Sequence, residues 1–146
     1  MLVRRKDHAC ALVQIDNERG ILVSGGVDNE DNLLDSVEFY NLATQTWEEI
    51  SALKNARTEH GMAMIGGLAT VLGGVSKKEF LSSVEVLDNS QNPDAPLGYE
   101  WRITAHTLSV PRYDFALAVA PISYLPMDER RMDQCAIEEV NDNSSS

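Results

Sequence analysis

Positive charge is scarce in this sequence: 12 lysines and arginines stand against 23 aspartates and glutamates, giving a formal net charge of -11. Phosphate backbones and anionic lipid surfaces are held by lysine and arginine displacing counterions, so neither nucleic acid nor a membrane is expected as a partner. Cysteine is nearly missing as well. Cys10 and Cys135 lie far apart with no CxxC or other metal spacing, which argues for reduced surroundings and a cytoplasmic or nuclear location. Histidine occurs only as His8, His60 and His106, and nothing in the spacing gathers them into a metal site. No long apolar run is present either. "FALAVAPI" is far too short to span a bilayer, and "MLVRRKDHACALV" has no apolar core of signal-peptide length ahead of its charges.

What is present is enough for one packed domain: 146 residues, 43% hydrophobic and 24% charged. The organising feature is a repeat. "ILVSGGVDNEDNLLDSVEFYNLATQTW" runs from a glycine pair through an acidic loop and an alternating segment to a tryptophan, and "ATVLGGVSKKEFLSSVEVLDNS…YEWRI" repeats that order. Gly25-Gly26 corresponds to Gly73-Gly74, Val37-Glu38 to Val84-Glu85, and Trp47 to Trp101. "RKDH" at Arg5 corresponds to "RTEH" at Arg57, and "RYDF" at Arg112 begins the unit a third time. A period of about fifty residues is that of a propeller blade.

Within a unit, "HACALVQI" and "GMAMI" are short apolar-rich first strands, followed by "DNERG" and "GG" as hairpin turns. "ILVS" and "ATVL" are second strands that stop at the glycine pairs. "SVEFY" and "SVEVL" alternate as third strands, and "TWEEI" and "WRIT" are fourth strands. Four short antiparallel strands without a helix make one blade.

This ordered set resembles the kelch repeat family over Arg5 to about Pro121. A WD-type propeller would need a Trp-Asp dipeptide, whereas Trp47 and Trp101 precede Glu and Arg. The second unit departs from the pattern at Leu87, where the family usually has a tyrosine like Tyr40, and in a long loop from Asp88 to Glu100. The expected fold is all-β: a partial propeller of two four-stranded antiparallel blades, residues 5–56 and 57–111, then a lone first strand at 112–121 and a mostly disordered acidic tail at 122–146. Propellers close with about four to eight blades, so the missing blades are expected from a longer parent chain or from self-association. The resemblance further implies that residues 112–121 are a ring-closing strand, and that the chain is the C-terminal third of a six-blade propeller or a shortened product of the same gene.

Alternating connections bring the loops between strands two and three, and the links between blades, to one face. Loops on a rigid scaffold concentrate binding residues. The first loop offers Asp28, Asn29, Glu30 and Asp31; the second offers Lys77, Lys78 and Phe80; the links offer Arg57, Arg112 and Tyr113. The resemblance implies that this face grips short peptide segments of partner proteins, often through arginines placed as Arg57 and Arg112 are. An acidic finger beside a basic one suits a peptide of mixed charge. Arg19, in the first hairpin turn, falls on the opposite face and is expected to be indifferent to binding. Many family members present substrates to cullin-type ubiquitin ligases, which sets the expected role as a non-enzymatic protein-interaction module with no cofactor, metal or catalytic residue. The alternative is part of a kelch-scaffold enzyme, a sugar oxidase or epimerase. Copper-radical oxidases on this fold need a Tyr-Cys pair with further His and Tyr ligands, and Cys10 with Tyr40 or Tyr99 shows no such arrangement. His8 and His60 open inner strands and read as packed, hydrogen-bonded side chains.

Overall fold

The computed structural model describes residues 1–15, 17–89, 94–95 and 98–119. They form two four-stranded antiparallel sheets in meander order. The first holds β1 (Ala9–Ile15), β2 (Glu18–Ser24), β3 (Val37–Asn41) and β4 (Thr46–Ile50). The second holds β5 (Gly61–Ile65), β6 (Leu68–Leu72), β7 (Ser83–Asn89) and β8 (Tyr99–Thr107). The eight strands expected for the two blades are present in the expected order. β2 starts three residues earlier than its apolar run, because Glu18 and Arg19 pair with Ile15 and Gln14 across the tight turn. Arg19 is therefore a strand residue. β8 is longer than "WRIT" and takes in His106, which is exposed on it.

Alternation along β1 buries Ala9, Val13 and Ile15 on one face and leaves Leu12 outward. The buried face joins Leu22, Phe39 and Ile50 of its own blade to Leu87 and Trp101 of the next in one apolar cluster. Leu87, the departure from the expected tyrosine, lies opposite Trp101 in the ladder and is buried with it. Trp47 occupies the matching place opposite Tyr40, 4.9 Å between ring centroids, yet both rings stay half-exposed. The difference is neighbourly: Trp101 has a blade against it, and Trp47 does not among the described residues.

The third unit departs from expectation. Residues 112–119 carry no strand pairing. A strand exists by its ladder, and no second strand stands beside this segment among the described residues. Its start is nevertheless fixed, since the Gly74 amide donates to the Arg112 carbonyl at 2.7 Å and the Arg112 amide to Leu81 at 3.3 Å. The tail from 122 lies outside the described residues.

Candidate functional site

The seam between the blades decides which side chains reach the outer face. Gly25 and Gly26 have φ of +60° and +88°, a region open to glycine. A Cβ on Gly25 would run into the Arg57 carbonyl, and one on Gly26 into the Lys6 carbonyl. The glycine pair is thus where backbone from two units meets. The Gly26 amide donates to the Arg57 carbonyl at 2.8 Å, repeating the Gly74–Arg112 bond one blade earlier. Across the same seam the Ser24 hydroxyl meets His60 Nε2 at 2.8 Å, both buried.

Arg57 belongs to this seam and not to the binding face. Its side chain is 0% exposed. The guanidinium donates to the Gly73 carbonyl at 2.8 Å, to Ser83 Oγ at 3.1 Å and to Glu85 Oε1 at 2.5 Å. Glu85 also accepts the Lys54 and Asn55 amides. Arg5 repeats these three partners in the first blade, donating to Gly25, to Ser36 and to Glu38 Oε1 at 2.6 Å, while Glu38 accepts the Leu2 and Val3 amides. A buried carboxylate is tolerated only when its charge and lone pairs are met, and here both conditions hold twice. The expectation that Arg57 reaches a partner is therefore corrected. Its backbone does lie on the link between blades, but the side chain turns inward to a carboxylate that strand alternation placed between blades. Glu38 and Glu85 are residues that sequence reading passed over. Their signal was available, for an Arg and a Glu recur together in both units at matched positions.

Burial pushes the His60 pKa down to about 3 from its ordinary 6.5, helped by the nearby Arg57 and His8 charges. His60 is thus neutral in the folded chain. Below pH 6.5 the unfolded chain takes up a proton that the folded chain refuses, so stability is intact above that pH and falls as the pH drops toward 3, by about 1.4 kcal/mol per pH unit. The third unit places Phe115 at the position of His60, and the second places Leu72 at that of Ser24. Exchanging the polar pair for that apolar one, Ser24→Leu with His60→Phe, should flatten the acid side of the stability curve between pH 6.5 and 4. Urea titrations at several pH values would show it, and an unchanged slope would mean that the acid sensitivity lies elsewhere.

The remaining candidates divide by loop. In the first loop Asp28 turns back on its own backbone, accepting the Glu30 and Asn32 amides at 2.8 and 2.9 Å. Hydrogen bonds from Asn32 hold its carboxyl below the usual range. Asp31 pairs with Lys6 at 2.9 Å on the surface. Asn29 and Glu30 are exposed at the tip. The second loop is a tight turn in which Ser76 Oγ accepts the Lys78 and Glu79 amides, leaving Lys77 and Lys78 exposed with no ion pair among the described residues. Phe80 and Tyr113, from a loop and a link about thirty positions apart in sequence, stack at 4.6 Å with ring planes 12° apart. They are 56% and 48% exposed. Together with Val75, Lys77, Lys78 and Pro111 they line an open hollow of about 640 Å³. Arg112 is exposed beside them in sequence and carries no ion pair among the described residues.

One further set of residues was not singled out by sequence. Asp7, Glu59 and Asp114 each sit two places after the unit's arginine, and each has a left-handed φ of 54°, 54° and 50°. The Glu59 amide donates to the Asp7 carbonyl at 2.9 Å and the Asp114 amide to the Glu59 carbonyl at 3.0 Å. Backbone bonds thus step from unit to unit across the blade entrances. Among the described residues no group of three or more His, Cys, Asp or Glu is placed to hold a metal ion.

Two four-strand meanders packed face to face, joined by paired glycines, define adjacent blades of a β-propeller. Residues 4–54 match the model of the kelch motif. The chain is 30% identical over 121 residues to Kelch-like protein 41a of Danio rerio, a match covering 81% of this chain and 19% of that protein. The chain is accordingly a member of the kelch repeat family.

Proposed function

We propose that the chain is a protein-binding module whose contact surface is the loop face centred on Phe80 and Tyr113. The observation that carries this reading is the exposed aromatic stack with two exposed lysines on its rim. Large aromatics and neighbouring cations are the residues from which binding hot spots are built. The partner that fits is a segment with an apolar side chain to cover the rings and carboxylates to meet Lys77 and Lys78. Glu30 and Asn29 at the first loop tip supply acidic and polar contacts to basic residues further along the same segment. The similarity to a Kelch-like protein supports a role as substrate adaptor for a cullin-type ubiquitin ligase, in cytoplasmic or nuclear surroundings. Because the match spans 19% of that relative, this adaptor role is a proposal for the chain in its wider setting.

A displayed library of random peptides selected against the chain tests the reading. Peptides pairing an aromatic or aliphatic residue with Asp or Glu are expected, and Phe80→Ala with Tyr113→Ala should weaken them about tenfold or more. Lys77→Glu with Lys78→Glu should do the same for the acidic ones, while Arg19→Glu should leave affinity unchanged. Binders indifferent to both loop variants but sensitive to Arg19 would place the contact on the other face.

A further inference from the structure

The seam between the blades is closed by the arginine network at the loop end, but at the hairpin end it is not filled. A partly open cavity of about 160 Å³ lies there, with Val13, Gln14 and Ile15 of the first blade on one side and Met64, Leu87 and Tyr99 of the second on the other. Val13, Ile15 and Leu87 are buried in the apolar cluster, and Met64 and Tyr99 pack against it. Gln14 contributes an amide to the lining, and Asp88, which pairs with Arg102 at 3.0 Å, contributes a carboxylate. The two units differ at this place. Tyr40 stands opposite Trp47, and Leu87 stands opposite Trp101, in matching ladders. The first unit thus has a phenol ring where the second has two methyl groups. Because position 87 borders the cavity, the ring and hydroxyl of a tyrosine there would extend past the leucine methyls into the open space.

We propose that this seam cavity is a binding site for a small, uncharged, monocyclic phenol, which takes the place that the tyrosine ring is not there to fill. The volume suits one ring: an apolar protein cavity of about 150 Å³ takes up benzene. The walls suit it as well. Aliphatic side chains from both blades flank the ring, the Met64 thioether is a favourable neighbour for an aromatic, and Tyr99 offers a second ring to pack against. The hydroxyl of the ligand is met by Gln14 and Asp88, an amide and a carboxylate that both accept hydrogen bonds. A carboxylate-bearing phenol is disfavoured by Asp88 and by the net charge of -11. A free phenol is the occupant rather than a tyrosine in a partner chain, because the space holds a ring but leaves no room for backbone beside it. Since residues of both blades line the cavity, the ligand ties one blade to the next.

The probe is para-fluorophenol, titrated into the full chain and followed by NMR of the ligand fluorine and of the methionine methyl groups. The Met64 methyl is expected to shift saturably as the ring enters beside it, and the melting temperature to rise with ligand concentration. Fluorobenzene, which lacks the hydroxyl, should bind about tenfold more weakly. Acetyltyrosinamide, the same phenol on a backbone, should also bind more weakly than the free ligand. Leu87→Tyr supplies the ring covalently, as the first unit does, and should abolish binding. The Met64 shift in the wild-type chain tests the site without any variant. The proposal is overturned by an unmoved Met64 methyl, by fluorobenzene binding as well as the phenol, by undiminished binding to Leu87→Tyr, or by acetyltyrosinamide binding the more tightly, which would make the occupant a tyrosine of a partner chain.

Discussion

Arg57→Ala is expected to destabilise the chain by about 3 to 5 kcal/mol, because it leaves the Glu85 carboxylate buried between blades without its cation. Glu85 is 0% exposed and depends on the Arg57 guanidinium at 2.5 Å together with the Lys54 and Asn55 amides. The loss is larger than the Arg–Glu attraction alone, since Arg57 also serves the Gly73 carbonyl and the Ser83 hydroxyl. Replacing both partners, Arg57→Met with Glu85→Leu, should recover part of that stability, as the desolvated charge is then gone. Chemical denaturation of the two variants against wild type measures the difference. If Arg57→Ala denatures with the wild-type midpoint, the inward placement of its side chain is wrong and the residue is available to a partner after all.

Nearly as large an effect is expected from Gly26→Val. The residue holds φ at +88°, and its Cβ would meet the Lys6 carbonyl and, at 3.0 Å, the His8 Cβ. A β-branched side chain there meets a disfavoured backbone region and a backbone obstacle at once, and a cost of about 3 kcal/mol or more follows. Gly67 separates the two causes. It too has positive φ, +82°, but nothing stands within 4 Å of its Cβ. Gly67→Ala should therefore cost about 1 kcal/mol, the conformational share alone. Thermal melts that rank the two substitutions equally would show that the seam yields to accommodate the valine.

The sequence announced the blades because period-two alternation, paired glycines and a tryptophan recur in register. Nothing in that alternation marks Glu38 and Glu85 as buried, yet both are. A polar residue in an alternating strand is read as facing water, which holds for a sheet with one wet face; a blade has a neighbour on each side, and the "polar" face of β7 is an interior. Arg57 was misplaced for a related reason: the path of a link is legible from strand order, but the direction of a long side chain depends on which acceptor lies within reach. Phe80 and Tyr113 were both singled out, while their stacking was not, since a contact between residues in different units depends on the rotation of one blade on the next. Residues 112–119 carry no ladder, and since a strand exists by its partner, the lone first strand read from the sequence is not assigned as one among the described residues.

The steps from Asp7 to Glu59 to Asp114 run through amides and carbonyls, while their side chains make no hydrogen bond or ion pair among the described residues. The backbone asks only for a left-handed φ, which asparagine meets more readily than most residues. Backbone geometry and side-chain charge are therefore separable at these three places. Their charge is open to neutralisation or reversal by substitution while the backbone steps that tie one unit to the next are kept.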